Sequence, residues 1–296
     1  MRRIAIINQK GGVGKTTTAV NLGAALAHRG KRVVVVDLDP QANATIHLGH
    51  EIGPESPSSY GILVDSLSFG EAILETSIPN LSLVGTSIDL SGAELELANA
   101  FGRETILRDA VETWCDEARE AGGGEPADYV LYDCPPSLGL LSINGLAASS
   151  EVFVAVQTEF FALRGMTKLV EVCDLIKKRL HPELDITGIV ACLYDSRLRL
   201  AREVLGEVRR FFPGLVFDQT IGTNVKLAEA SSFGTSVFEY APESNGARDY
   251  AALAEEVLAM ERANEAEPAV ELKPVEPPSE ASPDATSPVT ESPQAR

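Results

Sequence analysis

The sequence predicts a doubly wound α/β fold, and three observations carry that reading. Short β-rich runs at residues 3–8, 32–37, 81–85, 129–133, 152–157 and 186–193 are each followed by a longer stretch of helical character, the alternation that builds strand, helix and parallel strand units. Two of the runs, Val33-Val34-Val35-Val36 and Val152-Phe153-Val154-Ala155-Val156, are apolar at every position. Continuous apolarity means that both faces are covered, as in a mostly parallel sheet flanked by helices. The first run also passes directly into a glycine-rich loop and the start of a helix, a geometry suited to holding phosphate.

The first strand begins almost at the N-terminus. Met1-Arg2-Arg3 leads straight into it with no signal-peptide-like region, and no apolar run reaches the roughly 18 residues of a membrane-spanning helix. A cytoplasmic protein is expected. The loop that follows reads Gln9-Lys10-Gly11-Gly12-Val13-Gly14-Lys15-Thr16-Thr17. Its glycines let successive backbone N–H groups curl around an anion, Lys15 can reach the outer phosphates of a nucleoside triphosphate, and the Thr16 hydroxyl can hold magnesium. The general phosphate-loop pattern wants glycine five positions before Gly14, where this chain has Gln9, and it adds Lys10 just inside the loop. It is a deviant P-loop of the Walker A type.

In a sheet of this kind ligands gather at the carboxyl ends of the strands. The second run ends in Asp37-Leu38-Asp39-Pro40-Gln41 and the fourth in Tyr132-Asp133-Cys134-Pro135-Pro136-Ser137. A P-loop ATPase needs a carboxylate near the magnesium shell and a group to orient or deprotonate the attacking water. Asp133, delivered by an apolar strand, has the context of a Walker B aspartate. An aspartate at a strand end also serves commonly as a turn or cap residue, and the P-loop is what favours the catalytic reading here.

Composition bounds the remainder. With 44% hydrophobic residues the chain can bury a substantial core, and residues 1–262 read as one domain. Cys115, Cys134, Cys173 and Cys192 are scattered without a C-x-x-C pair, so disulfides and tetrathiolate metal sites are not expected. The net charge of −18 and pI near 4.6 argue by themselves against nucleic acid as a partner. Residues 261–296 hold eight acids against three bases and seven of the seventeen prolines. Such a segment cannot bury enough surface to offset its ordering entropy, so residues 263–296 are expected to be a disordered acidic, Pro-rich tail, either a partner-binding arm or a solvated end.

The phosphate loop, Asp37-Leu38-Asp39-Pro40-Gln41 and Asp133-Cys134-Pro135-Pro136-Ser137-Leu138-Gly139 together resemble the ParA/MinD family of deviant Walker ATPases. Ile88-Asp89-Leu90-Ser91-Gly92-Ala93-Glu94, Tyr194-Asp195-Ser196-Arg197, Asn224-Val225-Lys226-Leu227-Ala228-Glu229-Ala230 and Gly246-Ala247-Arg248 resemble its chromosomal ParA (Soj) branch. The resemblance covers residues 2–262. It implies an ATPase with ATP and Mg2+ as cofactors, in which residues 10 to 17, namely Lys10, Gly11, Gly12, Val13, Gly14, Lys15, Thr16 and Thr17, together with Asn224 bind the nucleotide. Thr16, Asp39 and Asp133 serve the metal, and Lys10, Lys15 and Asp39 serve catalysis.

The same resemblance makes Lys10 the signature lysine that reaches the nucleotide of a partner across an ATP-dependent homodimer. The alternative for Lys10 is a phosphate contact within its own chain or a solvated loop charge. Arg197 and Lys226 fall where the branch carries basic residues for sequence-independent binding of nucleoid DNA, and Arg199, Arg202, Arg209 and Arg210 add to that charge. Taken singly, each arginine is equally a solvated helix face. Family members usually carry Ile-Pro-Arg-Asn where this chain has Ile221-Gly222-Thr223-Asn224, a departure that bears on base and DNA contacts. The implied function is a DNA partition ATPase, nucleoid-associated, whose hydrolysis is stimulated by a ParB-like centromere-binding partner. The alternatives are a ParA-type positioner for a plasmid, microcompartment or chemoreceptor cluster, or a MinD-like membrane-cycling ATPase. The latter needs a basic amphipathic C-terminal helix, and an iron–sulfur carrier on the same fold needs paired cysteines. The sequence supplies neither.

Overall fold

A computed structural model describes residues 1–159 and 162–266. Residues 263–266, expected to begin the disordered tail, instead extend the last helix; the rest of it, residues 267–296, lies outside the described residues. In chain order the elements are β1 (Arg2–Ile7), α1 (Lys15–Ala27), β2 (Val33–Asp37), α2 (Asn43–His47), α3 (Ser59–Val64), β3 (Ile73–Glu75), β4 (Leu81–Val84), α4 (Leu90–Glu96), α5 (Ile106–Glu120), β5 (Tyr129–Asp133) and α6 (Leu140–Ala147). They continue with β6 (Glu151–Gln157), α7 (Ala162–Arg179), β7 (Asp185–Cys192), α8 (Arg199–Phe211), α9 (Val225–Ser232), α10 (Val237–Tyr240) and α11 (Asn245–Ala266).

The strands form one sheet in the order β3-β4-β2-β5-β1-β6-β7, parallel except where β3 pairs antiparallel with β4. Each of the six expected runs is a strand to within a residue or so of its ends. The edge strand β3 was not expected. Its three residues, Ile73-Leu74-Glu75, are too few to show a period in the sequence.

Side chains alternate across the sheet, and both sides are buried. Ile4, Ile6, Val33, Val35, Tyr129 and Leu131 belong to the core under α1 and α11. Ala5, Ile7, Val34, Val36, Val130 and Tyr132 belong to the opposite core, under α5, α6 and α7. Each fully buried isoleucine or valine contributes about 1.5–3 kcal/mol, which is why runs without a polar position prevail. The helices pack as closely as their small residues permit. A Cβ on Gly145 of α6 would stand 2.8 Å from Leu38 Cδ1 and 2.9 Å from Cys134 Sγ, so any larger residue would push α6 off the ends of β2 and β5.

The topology decides where a ligand can enter. From β1 the chain crosses to β2 on one side, and later from β5 to β6 on the other. The order therefore reverses around β1, which opens a crevice beyond its carboxyl end. The glycine-rich loop occupies that position.

Candidate functional site

The loop between β1 and α1 is built to expose backbone N–H groups. Gly12 and Gly14 take φ of 71° and 95°, the left-handed region that glycine enters freely. A Cβ at Gly14 would also meet Cys192 Cβ at 3.3 Å, so glycine is required there twice over. Gly14 precedes α1 as its N-cap, with no side chain capping the helix. The first amides of α1 are thus left for a ligand, at the end of the helix that favours negative charge. Val13 is 1% exposed and packs into the core, so only its backbone faces the loop.

Lys15 is 7% exposed and its Nζ donates to the Lys10 carbonyl at 3.3 Å. Burial lowers its pKa, while Asp133 and Asp39 partly restore it. Gly11, Gly12, Gly14, Lys15, Thr16 and Thr17 line a cleft of about 600 Å³ together with Asp39, Gln41, Asn43, His47, Pro136, Leu193, Ser231 and Ser232. The volume suits a nucleotide.

Three carboxylates approach this cleft and differ sharply in their surroundings. Asp37 is fully buried and satisfied: its Oδ2 accepts from Thr45 N at 2.9 Å and Thr45 Oγ1 at 2.7 Å, and its Oδ1 accepts from Asp39 N at 3.1 Å. It ties α2 to the end of β2, and burial pushes its pKa up to about 6. Asp39 is partly exposed, with Oδ1 accepting from Gln41 N at 3.0 Å. Asp133 is fully buried with neither carboxylate oxygen hydrogen-bonded. Burial first, and Asp37 opposite it second, raise its pKa well above the usual carboxylate range. The nearby Thr16 hydroxyl offsets this only in part, without completing a hydrogen bond of ordinary geometry.

An orphaned buried carboxylate costs about 1–3 kcal/mol or more, and it is a natural ligand for a hard cation. Thr16, Asp39 and Asp133 therefore fit a magnesium ion presented together with phosphate oxygens. The donors are oxygens throughout. The four cysteines are buried free thiols, and among the described residues no cluster of three or more His, Cys, Asp or Glu side chains could hold a metal alone. Substrate oxygens would have to complete the shell.

Other expected site residues take different positions. Lys10 Nζ pairs with Glu159 Oε2 at 2.5 Å and Gln157 Oε1 at 3.1 Å at the end of β6, so it turns away from the phosphate cradle of its own chain. Asn224 caps α9, its side chain accepting from Lys226 N at 2.8 Å. Gly222 of the same segment bridges to Tyr194 and Thr223 Oγ1 donates to the Leu193 carbonyl at 3.3 Å, which sets this segment beside Leu193, although Asn224 itself does not line the cleft.

The same bridge joins the segments carrying Arg197 and Lys226. Both are exposed and both are paired, Arg197 with Asp195 at 2.8 Å and Lys226 with Glu229 at 2.7 Å. Arg199 pairs with Glu203 and Arg210 with Glu207. Two of the four arginines of α8 are thus paired with carboxylates of the same helix, and Arg209 with Asp218 at 3.8 Å.

Sequence reading missed Leu193, His47, Ser231 and Ser232. Leu193 takes φ of 52° and Ala42, the N-cap of α2, takes 53°. Both are strained positions for residues with a Cβ, and both border the cleft. No sequence pattern marks a left-handed leucine. His47 and the two serines come together only because α2 packs against α9.

Comparison with known proteins gives the family and the fold. Residues 1–186 match the family model described as "AAA domain". The chain is 44% identical over 256 residues to the sporulation initiation inhibitor protein Soj of Bacillus subtilis, covering 86% of this chain and 98% of that protein. It is 42% identical to the chromosome partitioning protein ParA of Caulobacter vibrioides, over 91% of this chain and 98% of the relative. Among solved structures, cobyrinic acid a,c-diamide synthase of Mycobacterium smegmatis, with bound ATP analog and magnesium, superposes with a TM-score of 0.75 at 33% identity over 88% of this chain and 96% of that one.

Proposed function

This chain belongs to the ParA/Soj family of chromosome-partitioning proteins within the AAA-domain family, and from that membership and the geometry of the cleft we propose that it is an ATP-dependent DNA partition ATPase. One observation carries the reading: a phosphate-binding loop with a buried lysine, Lys15, opens beside a buried carboxylate, Asp133, that has no hydrogen-bond partner among the described residues.

Amides of residues 11–17 and Lys15 bind the phosphates of ATP, and Thr16, Asp39 and Asp133 hold Mg2+. When bound, the ion neutralises charge on the β- and γ-phosphate oxygens. Asp39, the partly exposed carboxylate of the three, orients the attacking water, while Asp37 is committed to Thr45. Asn224, in the segment that packs beside Leu193, is the residue proposed for the base. Lys15 already supplies the positive charge within the chain, which leaves Lys10 for the nucleotide of a second copy. Two triphosphates facing one another repel, so each chain's Lys10 would make ATP the condition for a homodimer.

DNA binding follows in the dimer, through Arg197 and Lys226. Their present ion pairs are exposed and cheap to exchange for phosphates, and a locally basic face can bind DNA even on an acidic chain. Hydrolysis, stimulated by a ParB-like partner, releases the DNA. Among the described residues no helix is long and apolar enough to cross a membrane.

Co-sedimentation with non-specific DNA in ATP, ADP or no nucleotide tests the reading. Retention is expected only with ATP, and Arg197→Glu or Lys226→Glu should weaken it while dimerisation persists. Equal retention in all three conditions would overturn the switch.

A further inference from the structure

We propose that His47 is a further nucleotide-binding residue, its Nε2 accepting a hydrogen bond from a ribose hydroxyl of the bound nucleotide. The proposal rests on the nucleotide reading above and extends it to a residue outside the phosphate loop.

The cleft divides by chemistry. The glycine loop with Lys15 and Thr16, and Asp39 with them, serve phosphates and metal. Of the rest of the lining, His47 comes together with Ser231 and Ser232 where α2 packs against α9, and Leu193 belongs to the same cleft. These residues are the ones left for the nucleoside. Leu193, apolar and 37% exposed, offers a surface for a base, whereas His47 and the serines are polar and neutral, as sugar hydroxyls require.

His47 is 2% exposed, and its Nε2 has no hydrogen-bond partner among the described residues. Burial drives its pKa down to about 4, with the Thr235 carbonyl partly opposing that shift. The ring is therefore neutral near pH 7, which makes it a poor partner for phosphate. With Nε2 unpartnered, the Thr235 carbonyl is served by Nδ1. The ring proton then resides on Nδ1 and Nε2 presents a lone pair. A lone pair accepts from a hydroxyl, and leaving it unmatched in a buried position costs free energy that a ligand donor recovers.

Asn43 lies one helical turn before His47 and lines the same cleft. The spacing puts both on one face of α2. Asp37 anchors that helix through Thr45, so the imidazole is held in place before any ligand arrives. Its position is set by Asp37, the register neighbour of Asp133.

The test is calorimetric binding of ATP, 2′-deoxyATP and 3′-deoxyATP to the full chain in Mg2+, for the wild type, His47→Leu and His47→Gln. The wild type is expected to bind one of the deoxy analogues about tenfold more weakly than ATP. His47→Leu should lose about the same factor for ATP and bind that analogue as it binds ATP, and His47→Gln, which keeps an acceptor, should regain part of the discrimination. Wild-type affinities within twofold for all three nucleotides would overturn the proposal without recourse to any variant. Discrimination retained by His47→Leu would overturn it as well. Failure of the wild type to bind ATP at all would instead remove the nucleotide reading, and this proposal with it.

Discussion

Asp37 and Asp133 stand opposite one another in the register of β2 and β5, both fully buried, and only Asp37 is hydrogen-bonded. Two carboxylates so placed favour holding protons. A carboxyl whose folded pKa is raised costs little while protonated, so the contribution of this pair is most favourable below the ordinary value of 3.8 and is lost as pH rises through about 6, the value for Asp37. Asp133, shifted in the same direction, extends that loss to higher pH. Asp133→Asn should therefore raise the stability of the nucleotide-free chain at pH 8 by about 1–3 kcal/mol and flatten its decline above pH 6, while abolishing Mg2+-dependent turnover. Thermal melts of both proteins across pH 5 to 8 check this. A variant less stable than wild type at pH 8 would contradict the assignment of Asp133 as an unsatisfied carboxylate.

Lys15 is the buried cation nearest the phosphate loop, and its charge is maintained by Asp133 and Asp39. Lys15→Ala should weaken ATP binding on the order of 100-fold, since hydrogen bonds to charged groups are the strong ones. Calorimetry reads the affinity directly. Unchanged binding would remove the site from this cleft.

Asp39 is fastened at Oδ1 by Gln41 N yet remains partly exposed to the cleft. Replacing it with alanine is expected to lower turnover by about 10²–10⁴-fold, the range for loss of a positioned acid or base. ATP binding should survive, and an ATP-bound dimer should accumulate on size exclusion. Normal phosphate release from Asp39→Ala would assign the water to another group.

Lys10 is held by Glu159 and Gln157 in the single chain. If it serves a second copy's nucleotide, that pairing competes with dimer formation. Glu159→Gln should shift the ATP-dependent monomer–dimer equilibrium toward dimer, by no more than about fivefold because exposed ion pairs contribute little. Sedimentation velocity with ATP measures the shift. A weaker dimer in this variant would mean that Glu159 positions Lys10 for its task instead of restraining it.

Much of the architecture was legible from residue order alone. Strand positions follow from apolar runs such as Val33-Val34-Val35-Val36, because only a strand covered on both faces tolerates that pattern. The phosphate loop was legible because Gly12, Gly14, Lys15 and Thr16 act through backbone geometry and short-range spacing, both local properties of the chain. Asp39 and Asp133 could be singled out as strand-end carboxylates for the same reason.

Their division of labour could not. Whether a strand-end aspartate is satisfied or orphaned depends on Thr45 and Thr16, residues brought alongside by packing, so only the tertiary structure distinguishes the committed Asp37 from the unpartnered Asp133. The same holds for Lys10, whose partner Glu159 is 149 residues away, and for Arg197 and Lys226, whose charges are offset by neighbours on the folded surface. His47 carries no sequence signature at all. Local spacing determined which chemistry this chain can attempt, and long-range packing decided which side chains are free to perform it, because burial, pairing and charge compensation are properties of the assembled interior.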